Sequence, residues 1–198
     1  MFRPALIPWL GIQLALAVVA IYWVSFFPLT AARKGFSLEV VGGLLGLING
    51  LGALTQMPLL KSIPWLIHHR KSLVALVFLA GVFTGGMAIP QHIAWLASTL
   101  LLAVVTPVLG TVVYAYASVW GHQHDASERA MVQLGMATGG GMILGPVLFG
   151  VGVTVTKGFA AIPLLIALIW LLVWGGIVVS SYGHPGRGDL HGATTSTG

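Results

Sequence analysis

The chain has 198 residues, of which 57% are hydrophobic and only 7% are charged, with a mean hydropathy of +0.97. A soluble domain carries roughly 25% charged residues, so a chain with so few cannot cover a water-facing surface, and lipid is expected to cover most of it. The net charge of +5 comes from nine Lys and Arg scattered singly or in pairs at the ends of apolar runs; without a basic stripe interleaved with aromatics, nucleic acid is not an expected partner. There is no cysteine, which removes disulfides, thiolate metal sites and cysteine nucleophiles together.

Crossing the hydrocarbon core takes about 20 apolar residues, and six segments qualify: 6–28, 39–60, 72–90, 93–118, 130–155 and 160–182. The first begins after Met1-Phe2-Arg3-Pro4 and is too long for a signal-peptide core. Between the segments lie Arg33 and Lys34; Lys61, Arg70 and Lys71; Asp125, Glu128 and Arg129; and Lys157. The tail from Gly183 to Gly198 is polar, rich in Gly, Ser and Thr, and expected to be disordered. The runs are twice the length of barrel strands and do not alternate. The expected fold is therefore all-α: a six-helix transmembrane domain over 1–182 with a polar tail over 183–198.

Arg3, Lys61, Arg70, Lys71, Arg129 and Arg187 fall on one side of these spans, and Arg33, Lys34 and Lys157 on the other. Six against three places both termini in the cytoplasm, for a multi-pass protein of the cell membrane.

The chain also resembles itself. Trp9-Leu10 with Leu14-Ala15-Leu16-Ala17-Val18-Val19 recurs 86 residues later as Trp95-Leu96 with Leu100-Leu101-Leu102-Ala103-Val104-Val105. Leu45-Gly46, Gly50 and Gly52 fall on Leu134-Gly135, Gly139 and Gly141 at a shift of 89, and Gly85-Gly86 on Gly175-Gly176 at 90. Three helices per unit is an odd number, so the second unit enters from the opposite face. The pattern predicts a 3+3 inverted repeat, an architecture common in transporters.

Polar residues inside the spans are the candidates for a solute path. The second segment carries Gly42, Gly46, Asn49, Ala53 and Gln56 at steps of four and three, hence on one face. Small residues there suit close helix packing, while the amides of Asn49 and Gln56 need partners in a dry environment. The matching face of the fifth segment is Met131, Gly135, Thr138, Met142 and Gly145. The fourth segment has Thr106-Pro107 in its middle and then Thr111, Tyr114 and Ser118 along one side; proline permits a kink, and hydroxyls suit a polar lining unless they bond back to their own helix. The first segment offers Gln13 and Tyr22, the latter equally suited to the membrane interface beside Trp23. The expected pathway is thus Gln13, Tyr22, Asn49, Gln56, Thr106, Thr111, Tyr114 and Thr138.

No Asp, Glu, Lys, Arg or His lies well inside a span, so the intramembrane ion pairs typical of coupled transport are missing. His122-Gln123-His124-Asp125 reads as a hydrophilic connector rather than a zinc site, as does His68-His69 before Arg70-Lys71. There is no Gly-x-Ser-x-Gly element with an embedded histidine, no phosphate loop and no dinucleotide fingerprint. Neither enzymatic activity nor a cofactor or resident metal is expected.

Two stretches carry a family resemblance. Gly50-Leu51-Gly52-Ala53-Leu54-Thr55-Gln56-Met57-Pro58-Leu59-Leu60, with His69-Arg70-Lys71 ending the connector, is similar to the eighth helix and basic loop of major facilitator superfamily transporters. Glu128-Arg129-Ala130 with Gly139-Gly140-Gly141-Met142-Ile143-Leu144-Gly145-Pro146-Val147-Leu148-Phe149-Gly150 resembles their eleventh helix and the loop before it. Over residues 6 to 182 the chain looks like the C-terminal six-helix half of such a protein. Phe27-Pro28-Leu29, Gly42-Gly43-Leu44-Leu45 and Met57-Pro58-Leu59 look closest to bacterial sugar efflux transporters. It departs from them in having Gln56 where they tend to carry an acid, and in lacking the aspartate of the basic loop.

The resemblance implies a secondary active transporter of a small solute, of the sugar or drug efflux kind, present as a half-length unit. The first and fourth helices would line a cavity, the second and fifth would face a second six-helix half, and the third and sixth would face lipid. The missing half would be a second copy or another chain. The alternatives are a six-helix substrate-binding subunit of a multi-component transporter and a non-transporting membrane scaffold or remnant.

Overall fold

The computed structural model describes residues 6–59, 70–156, 158 and 160–182, with the side chains of all of these but 56–59, 70, 156 and 180–182. The connector over 60–69 and the tail from Gly183, with the readings attached to them, lie outside the described residues, as does the side chain of Gln56. The described chain is helical, with no strand: α1 Ile7–Arg33, α2 Leu38–Leu59, α3 Arg70–Gly86, α4 His92–Gln123, α5 Ser127–Thr156 and α6 Ala161–Tyr182. Five of these helices are long and apolar enough to cross a membrane. The exception is α3, which at 17 residues is about 25 Å long against a hydrocarbon core of about 30 Å. This is the architecture of a multi-pass membrane protein.

Two prolines shape the long helices. In α1 the ladder widens into a π turn over Tyr22–Phe26, with the Phe27 N–H donating to the Tyr22 carbonyl. Pro28 follows at once and has no N–H to continue regular pairing, which is where π turns are accommodated. Pro107 sits inside α4, which runs on past 118 to Gln123 because nothing in Tyr116–Gln123 breaks it.

The helices α1 and α4 end in the same way. The Phe36 N–H donates to the Ala31 carbonyl and the Gly35 N–H to that of Ala32, with Gly35 at φ 85°. The Ala126 N–H donates to the Gly121 carbonyl and the Asp125 N–H to that of His122, with Asp125 at φ 50°. Both are left-handed caps that satisfy the last carbonyls of a helix and reverse the chain.

The strongest packing pairs are α1 with α5 and α3 with α6, followed equally by α2 with α4 and α3 with α4. Weaker contacts of α1 with α4 complete a front row in the order α2, α4, α1, α5, in which α4 also touches α5 directly. Behind it, α3 backs α4 and α6 backs α1. The α1–α5 pair is parallel: Gly141 lies on Leu14 and Ala17, Gly145 on Ile21, and Phe149 against Tyr22. A Cβ at Gly141 would come 2.5 Å from the Leu14 carbonyl oxygen, so this approach of backbones needs glycine. On the other side of the row, Gly52 of α2 packs on the Pro107 ring of α4.

Candidate functional site

In a bundle this apolar, buried hydrogen-bonding side chains stand out by their cost, since an unsatisfied polar group in a dry environment costs about 1–3 kcal/mol. Three of the expected pathway residues meet at the junction of α1, α4 and α5. Gln13 is only 6% exposed, and its Nε2 donates to Thr138 Oγ1 at 2.9 Å and lies 3.4 Å from the Tyr114 hydroxyl. Thr138 Oγ1 spends its own proton on the Leu134 carbonyl at 2.9 Å. It can therefore only accept from Gln13, which orients the amide. The Gln13 side-chain oxygen is left buried without a partner.

The three residues differ in access. Tyr114 is 48% exposed on the open side of the front row, Thr138 is half-buried, and Gln13 sits behind them. On the same stripe of α4, Thr111 is half-buried and Ser118 exposed. Together they give the front of the bundle an uncharged patch of hydroxyls with an amide beneath it.

The other expected pathway residues do not join this cluster. Thr106 donates to the Leu102 carbonyl at 2.9 Å and Thr111 to that of Pro107 at 2.8 Å, so both spend their hydroxyl protons on their own helix. Asn49 is exposed, and its Nδ2 donates to the Leu45 carbonyl at 2.9 Å. Tyr22 is 1% exposed, edge-on to Trp23 at 5.8 Å and to Phe149 at 6.5 Å. Its ring is part of the packing between α1 and α5 rather than of an open surface. Gln56 lies outside the described side chains.

Among the described residues, four buried polar ones were not expected; Thr30 and Thr84 bond to carbonyls of their own helix, and the other two have an atom without a partner. Gln133 on α5 is buried with its side-chain oxygen unpartnered, and so is the hydroxyl of Thr99 on α4. The signal for Thr99 was the repeat itself: the shift of 86 that aligns Trp9 with Trp95 aligns Gln13 with Thr99. Gln133 carries no comparable signal beyond being an amide inside an apolar segment.

A second polar region lies at the turn between α4 and α5, where a cavity of about 690 Å³ opens beside His124, Asp125, Ser127, Glu128 and Arg129. His124 stacks on Trp120 at 4.5 Å, and its Nδ1 is 2.9 Å from the Trp120 carbonyl. Among the described residues no three His, Asp or Glu side chains are grouped to hold a metal ion. Compared with family models, with curated proteins and with solved structures, the chain matches none.

Proposed function

We propose that this chain is one half of an alternating-access transporter, with a small, uncharged solute held between its front row and a second six-helix unit. The observation that carries this reading is the Gln13–Tyr114–Thr138 junction. Three helices spend polar side chains on one another inside an apolar bundle, and one of those side chains, Tyr114, opens onto an unpartnered face. Intramembrane polar groups are costly and mark substrate paths more often than ordinary packing positions.

The inverted repeat and six spans belong to the same proposal, and the packing supports them. Exchanging α1, α2 and α3 for α4, α5 and α6 turns the pair α1–α5 into α4–α2, the pair α3–α4 into α6–α1, and α3–α6 into itself. Buried Val41 and Gly52 of α2 correspond at the shift of 89 to buried Ala130 and Gly141 of α5. The matching left-handed caps after α1 and α4 fit the same exchange. The absence of charge within the spans favours a neutral solute. With the resemblance in the sequence, sugar-like solutes are the first to test.

The experiment is a thermal-stability screen of the purified protein against neutral mono- and disaccharides, repeated with Gln13→Leu. Leucine fills the same space without the amide. A stabilising compound is expected for the native chain, with the shift lost in Gln13→Leu while the unliganded melting temperature stays within a few degrees. If no compound shifts the native protein, or the shift survives in Gln13→Leu, the proposed site is wrong.

A further inference from the structure

An amide can sit either way round in its pocket, and the neighbours of Gln13 decide which. Thr138 Oγ1 gives its proton to the Leu134 carbonyl at 2.9 Å and meets Gln13 as an acceptor, with Nε2 at 2.9 Å. The Tyr114 hydroxyl, 3.4 Å from Nε2, takes the other N–H. Both protons are then spent, and only Oε1 is left over, buried and without a partner. Turned round, with Thr138 and Tyr114 donating to the oxygen, the amide would leave two N–H groups over instead of one oxygen. Unmade bonds are what a dry bundle penalises, so the first arrangement holds.

What is left over has a definite polarity. Oε1 can only accept. The Tyr114 hydroxyl accepts from Gln13 and gives its own proton to nothing among the described residues. The two ends of an amide are about 2.2 Å apart, so Oε1 lies at most about 5.6 Å from the Tyr114 hydroxyl. One oxygen placed about 2.8 Å from each spans that gap. A hydroxyl answers both at once: its proton goes to Oε1, and its lone pair takes the tyrosine proton. A ketone or an ether only accepts, and leaves Oε1 as it was.

We infer that this junction seats one hydroxyl group of the solute, with Gln13 Oε1 as the atom that selects it; the inference rests on the transporter reading above. Thr138 is a positioning residue, since its bond to Leu134 fixes which end of the amide is free. Gln13 lies behind Tyr114, so the hydroxyl enters from the open side of the front row as the tyrosine ring turns aside. Water carries the same chemistry, and the test separates the two sources.

Isopropanol and acetone share one heavy-atom skeleton, and only the alcohol can donate. The protein, isotope-labelled at the side-chain nitrogens of its glutamines and held in nanodiscs, is titrated with each and followed by NMR. Gln13→Leu identifies the Gln13 signal by its loss. The expected result is a saturable shift confined to that signal with isopropanol, and binding of acetone weaker by about tenfold. Thr138→Val keeps the side-chain shape and removes the acceptor, so the amide is free to turn, and the two probes should come within about threefold of each other. Thr138→Ser keeps the hydroxyl and should restore the preference. A threonine that served packing alone would not move this ratio.

No Gln13 shift with isopropanol overturns the inference, because the seat is then closed or held by water. So does an equal response to the two probes, or a preference for acetone, in the native chain. A Thr138→Val variant of native melting temperature that keeps the alcohol preference overturns it as well. The two readings fail separately: a Gln13 shift with isopropanol beside a blank saccharide panel loses the sugar transporter and keeps the hydroxyl seat, whereas a stabilising saccharide without the alcohol preference keeps the transporter and loses the seat.

Discussion

Trp9, near the start of α1, stacks on Tyr116, near the end of α4, with ring centroids 4.0 Å apart and planes 16° from parallel. At the opposite end of the same helix pair, Trp95 near the start of α4 stacks on Phe27 near the end of α1, at 5.3 Å and 9°. Each antiparallel partner thus brings a tryptophan to the far end of the other. Phe36 covers Trp95 a second time at 5.7 Å, and Trp95 is fully buried. Rings of this size dominate contact energy, and a good pair adds about 0.5–1.5 kcal/mol beyond its area.

These clasps make a graded prediction. A double-mutant cycle between Trp9→Leu and Tyr116→Leu should give a coupling of about 0.5–1.5 kcal/mol, read from denaturant unfolding in one detergent. Trp95→Ala should cost about 3–5 kcal/mol, because a large ring is lost from a closed site. A coupling near zero would mean that the two ends of α1 and α4 are not held together by these rings.

The contact of Gly141 with Leu14 predicts an asymmetry between glycines. Gly141→Val should destabilise by about 1–3 kcal/mol, since the added carbons meet a backbone carbonyl that cannot step aside. Gly175 of α6 has nothing within 4 Å of an added Cβ. There Gly175→Ala should be neutral or stabilise by up to about 1 kcal/mol through reduced chain entropy. Melting curves of the two variants beside the native chain decide it.

Lys34 ties two turns together. Its Nζ donates to the carbonyls of Ile89 at 3.3 Å and Pro90 at 3.2 Å, and lies 5.7 Å from the centre of the Trp95 ring. These bonds are exposed, so Lys34→Met should cost only about 1 kcal/mol overall. The local effect should be larger: amide exchange at Met87–Gln91 is expected to speed up several-fold, with the rest of the chain unchanged. Uniform protection across the variant would show that the turn holds its shape without the lysine.

The candidate site was legible in part, and the reason differs from residue to residue. Gln13, Tyr114 and Thr138 could each be picked out as polar positions in apolar helices, because composition alone makes them costly. Their meeting could not, since Gln13 and Thr138 are 125 residues apart and are joined by the parallel packing of α1 on α5. Thr106 and Thr111 looked the same in the sequence as Thr138. Threonine in a helix bonds to the carbonyl four residues back, as all three do here, and only a neighbouring helix distinguishes the one that also accepts a bond from outside. Tyr22 was ambiguous because an aromatic hydroxyl suits an interface or a cavity, and the approach of Phe149 made it part of the packing instead.

The amino-acid sequence by itself determined that the chain is helical and built for a membrane, because so few charges cannot solvate a surface and apolar runs of this length have few other solutions. It also placed the breaks between helices, through the charged residues between the apolar runs, while the helix ends at Arg33 and Gln123 lie beyond the expected 28 and 118. The tertiary structure alone decided which faces look inward, which polar groups find partners, and which glycines are spent on contacts within the chain. Those outcomes depend on distances between helices far apart in sequence, which hydrophobic pattern does not encode when nearly every position is apolar.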